Sequence, residues 1–248
     1  MQILSNLMVP TREFNPLELP IKNLYNKFMT YIGIDFSLTS PAFCIFKNNE
    51  YFWGSLTRSD RTSESLKKSK DKPYAILDGD PSIDLFFLTK KEMPTEYSAR
   101  ERVKIDYFQD IVDVFWYHIE PFLEGEVKIA MEGLSFASNG NALIDISMAT
   151  ALIRKKIVDR IGSKNFYVFP PTAIKKFAGK GNLKKDEMYH ALVQKGPEAG
   201  GDFTHFTDII SKHSSSWITK SKQVNKPIDD LVDASWICLF LQETLKNE

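Results

Sequence analysis

One acidic residue inside an apolar run constrains this chain more than any other feature. The stretch Tyr31-Ile32-Gly33-Ile34-Asp35-Phe36-Ser37-Leu38-Thr39 is dense in β-branched and aromatic residues and closes on small hydroxylated residues before Pro41. That pattern predicts a buried strand ending in a turn. An ionised Asp35 in such a strand is costly to desolvate unless it is paired, hydrogen-bonded or bound to a cation. Two readings follow: a carboxylate that caps the turn through nearby backbone N–H groups, or one member of a site completed by distant parts of the chain.

With 248 residues, 43% of them apolar and 26% charged, the chain can bury a core without staples, as one large domain or a domain with insertions. Cys44 and Cys238 lie far apart in apolar surroundings and read as buried free thiols of a reducing compartment. No stretch approaches the ~18 uncharged apolar residues of a membrane span, and the first 30 residues lack the basic start and apolar core of a signal peptide. The expectation is a cytoplasmic protein with no membrane partner. Lys and Arg balance Asp and Glu at 32 each, but 15 basic against 6 acidic residues fall between Arg154 and Lys226, a local excess of +9. A basic half beside an acidic half suits a polyanionic partner for the former, or simply a solvated lysine-rich face.

Residues 1–30 show no sustained period and read as an N-terminal arm preceding a domain over 31–248. Strands over 31–36, 42–47 and 51–56, with a Lys47-Asn48-Asn49-Glu50 turn, form a predicted antiparallel meander. Arg58 to Lys72 is a polar loop within an insert near 57–95, in which Ile83 to Leu88 offers a further strand or edge element. Helical spacing over 99–123 leads to a strand at Val127 to Met131 and then Glu132. Asn141 to Ile161 is a second long helix whose stripe Leu143, Ile146, Ala149, Ile153 and Ile157 packs on the sheet, or less readily forms a dimer seam. After a strand at Phe166 to Phe169, short helical pieces flank Gly179-Lys180-Gly181, with the second over 184–195. The two glycines most simply provide positive φ and close backbone approach. Residues 196–226, rich in Gly, Ser and Lys, read as a second insert or mobile region, and a last helix runs from Pro227 to Leu245. Helices after a hairpin meander predict an α/β class with a mixed five-stranded sheet.

Three acidic places stand out because each lies at the end or edge of an apolar element: Asp35, Glu132, and the pair Asp230 and Asp233 in the first turns of the last helix. Residues three apart share a helix face, so Asp230 and Asp233 are expected to project together and Asp229 elsewhere. Singly, each is explained equally well by capping or helix-dipole placement.

In this order, an Asp in the first strand, a Glu ending the fourth and an Asp-x-x-Asp opening the last helix resemble the RNase H-like nucleases, specifically the RuvC-type Holliday junction resolvases. Gly179-Lys180-Gly181-Asn182-Leu183-Lys184-Lys185, preceded by Pro171-Thr172-Ala173-Ile174-Lys175-Lys176, is similar to that family's Gly-x-Gly loop and following lysine. The resemblance spans roughly residues 31–56 and 99–247, and the additions outside it look similar to those of bacteriophage or viral members.

The resemblance implies an RNase H-like fold flanked by helices, and Mg²⁺-dependent nicking of branched DNA with two ions per site, Mn²⁺ substituting. Hard oxygen ligands suit these ions. It further implies Asp35 as the ligand shared by both ions, Glu132 and Asp230 on opposite sides, and Asp233 as the fourth. Lys185 stands as a catalytic lysine, with Lys175, Lys180 and Lys184 on DNA, and Phe136 either wedging between bases or packing in the core. A homodimer is implied because two sites must nick opposing strands, with the 141–161 helix in its interface. Nucleases for flaps, forks or packaging intermediates share this chemistry. An actin-like nucleotide-binding protein would want a second Asp-x-Gly phosphate loop, which the sequence lacks.

Overall fold

The computed structural model describes residues 29–58, 73–134 and 140–246. Phe136 and most of the N-terminal arm lie outside the described residues. Strand β1 (Thr30–Asp35) pairs antiparallel with β2 (Ala42–Lys47), which pairs antiparallel with β3 (Glu50–Arg58). The β2–β3 turn is the expected one. Asn48 and Asn49 sit at φ 55° and 66°, the left-handed conformation that a tight two-residue hairpin requires and that Asn tolerates.

Helix α1 (Pro73–Leu77) precedes β4 (Ile83–Leu88), which lies parallel to β3 at the sheet edge. The sheet therefore has six strands, not five. Ile83 is buried on one face of the sheet and Phe86 and Leu88 on the other, where Asp84, exposed on that same face, meets His118. Helix α2 (Tyr97–Ile119) begins where the Glu96 carboxylate accepts from the N–H groups of Ser98 and Ala99. It leads to β5 (Val127–Glu132), then α3 (Asn141–Ile161) and β6 (Phe166–Phe169). Both β5 and β6 run parallel to β1, giving the order β4-β3-β2-β1-β5-β6. An antiparallel β3-β2-β1 meander continued by parallel strands and flanked by helices is a mixed α/β sheet, the class expected from the sequence.

Two cores cover the two faces of this sheet. On one, Ile32, Ile34 and Ile129 pack with Phe108, Phe115 and Ile153 of α2 and α3. On the other, Cys44, Trp53 and Ala130 pack against α4 (Pro171–Ala178), α5 (Lys185–Lys195), α6 (Asp202–Lys212) and the last helix. A four-residue helix α7 (Ser214–Trp217) comes before that last helix, α8 (Ile228–Lys246). The 196–226 segment, read from the sequence without regular elements, contains helices α6 and α7. Phe203, Phe206 and Ile210 recur at helical spacing and are fully buried, and Phe206 stacks on Trp53 with ring centroids 4.3 Å apart.

Helix α8 presses on β1 with no side chain between them. A Cβ on Gly33 would lie 2.3 Å from the Cys238 nitrogen and 2.5 Å from the Ala234 oxygen, so only glycine fits. Around this contact, Trp53 Nε1–H donates to Ser235 Oγ at 2.9 Å, and the buried Trp236 indole donates to the Met188 carbonyl at 3.1 Å. Cys44 and Cys238 are buried free thiols, as expected.

Candidate active site

Side chains alternate along a strand, so Asp35 faces the same way as Gly33, and Glu132 the same way as Ala130. Both therefore face the layer of α8. In β1 and β5, Ile34 is opposite Met131, which leaves Asp35 and Glu132 as neighbours at the C-terminal ends of two adjacent parallel strands. That end of an open α/β sheet is where ligand crevices form. The first turns of α8 bring Asp229, Asp230 and Asp233 to the same place.

Asp230 is 1% exposed and accepts hydrogen bonds from the Ser40 hydroxyl and the Lys226 ammonium. Ser40 is itself fixed in the turn after β1, its N–H donating to Ser37 Oγ at 3.1 Å. Lys185, at the start of α5, bonds Asp233 and lies 3.0 Å from Asp229. Asp229 does not project elsewhere, because a residue four before Asp233 shares its face as surely as one three before. Lys226 also reaches Asp229, at 3.6 Å. Five carboxylates are therefore met by two ammonium groups.

The proton affinities record this imbalance. Burial, followed by the fields of Asp233 and Asp230, holds the Asp35 carboxyl well above its ordinary value. Burial and Asp233 push Glu132 up to about 7, with Lys185 and Lys175 pulling the other way. Burial takes Asp230 to about 6 despite Lys226 and Ser40, and also raises Asp233 against the pull of Lys185. For Lys185, partial burial opposes the charge, but Asp233, Asp229 and Asp35 outweigh it and push its affinity up. Lys226 is raised in the same way, with Asp230 and Asp229 overcoming burial.

Asp35, Glu132, Asp230, Asp233 and Lys185 are thus brought together, and Lys175 reaches the site through its effect on Glu132. Lys180 and Lys184 are exposed, with no ion-pair partner among the described residues. The glycines of the 179–181 loop do not supply positive φ. Gly179 is extended at φ 170°, and a Cβ on Gly179 or Gly181 would make ordinary contacts at 3.5 and 3.6 Å. Sequence reasoning missed Asp229, Ser40 and Lys226. The i,i+4 spacings of Asp229 to Asp233 and Lys226 to Asp230 were visible signals, whereas the Ser40 bond, spanning 190 residues, left none.

The donor set suits a hard divalent cation: carboxylate oxygens only, carrying more negative charge than the lysines balance. Among the described residues, no three His, Cys, Asp or Glu side chains are already gathered as a metal cluster. Lysines bridge the acids instead.

No protein-family model matches the sequence, and the curated proteins contain no match. Among solved structures, the chain is similar to Thermus thermophilus RuvC, with 13% identity and a TM-score of 0.45 over 87% of this chain and 96% of that one. T. thermophilus RuvC in complex with Holliday junction substrate aligns with 11% identity and a TM-score of 0.43, again over 87% and 96% of the two chains.

Proposed function

We propose that this chain is a metal-dependent, structure-selective DNA endonuclease that resolves four-way junctions by paired nicks, acting as a homodimer. The observation that carries the reading is the gathering of Asp35, Glu132, Asp230 and Asp233 from two strand ends and one helix into a cleft short of positive charge. Asp35, which faces the layer of α8 beside Glu132, would be the ligand shared by the Mg²⁺ or Mn²⁺ ions, with Glu132, Asp230 and Asp233 as the further ligands. Bound there, the ions would activate a water and stabilise the departing 3′ oxygen, leaving 5′ phosphates.

The chain's own groups orient and compensate. Ser40 fixes the Asp230 carboxylate through its hydroxyl hydrogen bond. Lys185, half open to solvent, is placed to leave Asp233 and meet a phosphate oxygen once cations carry the neutralising charge. Lys175, on the Glu132 side, offers a second positive charge to the same strand of DNA. On α3, Ala149, Ile153 and Ile157 of the apolar stripe pack inward, while Ile144 and Met148, 58% and 40% exposed, form an outward apolar ridge suited to a second copy.

The test is to incubate the protein and Asp35→Asn with end-labelled four-way junction, flap and linear duplex in Mg²⁺. Paired symmetric nicks on the junction alone, lost in the variant, are expected. Equal cleavage of all three DNAs would remove junction selectivity, and no cleavage in Mg²⁺ or Mn²⁺ would overturn the nuclease reading. A sedimentation profile of a monomer at micromolar concentration would overturn the dimer.

A further inference from the structure

Beside the carboxylate cleft runs a polar groove of about 580 Å³, walled by Lys184 and Lys185 at the start of α5 on one side and by residues 221–225 on the other. Lys185 and Asp229 line the groove, and Lys185 also bonds Asp233, so the groove borders the carboxylate cluster. The 221–225 wall is a built element. Ile218 and Val224 form an antiparallel bridge, Thr219 N–H donates to the Gln223 carbonyl at 2.9 Å, and Gln223 N–H returns to Thr219 Oγ1 at 2.9 Å. Its base is tied to the core, where Asn225 N–H donates to the carbonyl of fully buried Trp217 at 2.8 Å.

At the tip, Lys222 stands at φ 60°, a left-handed conformation uncommon for lysine, and its N–H is bonded to the Thr219 carbonyl at 2.9 Å. The turn carries Lys220 and Lys222, both exposed and without an ion-pair partner among the described residues. Across the groove, Lys184 is likewise unpaired. Two of the acids between them are already engaged. Glu187 accepts from the Lys184 N–H at 2.7 Å, and Asp229 is held between Lys185 and Lys226.

We infer that this groove is the channel for the sugar-phosphate backbone of the DNA strand entering or leaving the cleft, with Lys184 and Lys222 contacting phosphates from opposite walls. The inference rests on the nuclease reading and adds to it a second wall, the 219–225 turn. A polyanion fits because the free charges are net positive, Lys184 and Lys222 on opposite walls against Asp186, and lie beside the carboxylates. Contacts of this kind position a strand without reading its sequence.

The experiment measures binding of fluorescent four-way junction DNA in Ca²⁺ between 50 and 200 mM salt, with Mg²⁺ nicking assayed in parallel. The proteins are wild type, Lys222→Asn, Lys184→Gln/Lys222→Asn, and Lys164→Gln as a control. Asn keeps the left-handed turn, and Lys164 precedes β6, at the opposite end of the sheet from the cleft. Each lost phosphate contact lowers the slope of log K against log salt by about 0.9, or roughly eightfold in affinity at 0.1 M salt. The double variant is expected to lose about 2 in slope and on the order of 50-fold in affinity, with the control unchanged. Wild type that binds and nicks beside a double variant of equal slope and affinity would overturn the groove alone. Wild type with no salt-dependent DNA binding and no nicking would overturn the groove together with the nuclease reading.

Discussion

Glu132→Gln should make the protein more stable while abolishing nicking. Raising this carboxyl from its ordinary 4.5 to about 7 means that ionising Glu132 in the fold works against burial and the field of Asp233. At ~1.4 kcal/mol per decade of proton affinity, that is about 3 kcal/mol of lost stability above pH 7, and solvent screening of a half-buried group reduces it to roughly 1–3 kcal/mol. The sign follows from the raised value. The folded state holds the proton between pH ~4.5 and ~7 while the unfolded chain releases it, so wild-type stability falls as pH rises through that window. Glutamine has no charge to place. In metal-free buffer at pH 8 the variant should melt roughly 2–12 °C higher, given ~2–4 °C per kcal/mol for a chain of this size. At pH 4, where Glu132 is protonated in both states, the gain should vanish. Mg²⁺ should narrow the gap by stabilising wild type more than the variant. Thermal unfolding by circular dichroism at the two pH values measures all of this. A variant no more stable than wild type at pH 8, or equally stabilised at pH 4, would refute the electrostatic account of the cleft.

Lys226→Gln should cost about 3 kcal/mol at pH 8, because buried Asp230 loses its ammonium partner, and less at pH 5, where Asp230 with its value near 6 takes up a proton. The same variant should bind Mg²⁺ more tightly by calorimetry, since no lysine has to be displaced. Gly33→Ala should cost roughly 3 kcal/mol or more in urea unfolding, as its Cβ meets main chain rather than yielding side chains. Phe206→Ala should cost about 3–5 kcal/mol; a loss below 1 would mean that the 196–226 segment is only loosely attached.

What was legible in the sequence was local. The apolar run from Tyr31 to Ile34 marked its strand, and Asn48-Asn49 announced a turn, but the direction of Asp35 came only with the register. Asp230 and Asp233 could be paired by helix geometry alone. The 196–226 segment was misread because Gly, Ser and Lys dominate its composition, although Phe203, Phe206 and Ile210 carried a helical stripe through it. The edge strand β4 was ambiguous because six residues beside a polar loop say little about pairing. The Lys185 bridge needed the tertiary structure: it meets Asp233 across 48 positions, and nothing local in either segment pairs the two.

The contact at Gly33 bears on how this site tolerates change. Between most packed layers, side chains act as spacers, and their exchange over generations slowly widens or narrows the gap. Here strand and helix meet main chain to main chain, so the reach from Asp35 to the acids of α8 is set by atoms that every amino acid possesses. The surrounding core can drift in volume and identity while the distance across the cleft stays put. That freedom ends at a single hydrogen atom on one α-carbon, where the smallest possible enlargement would pry the two halves of the site apart.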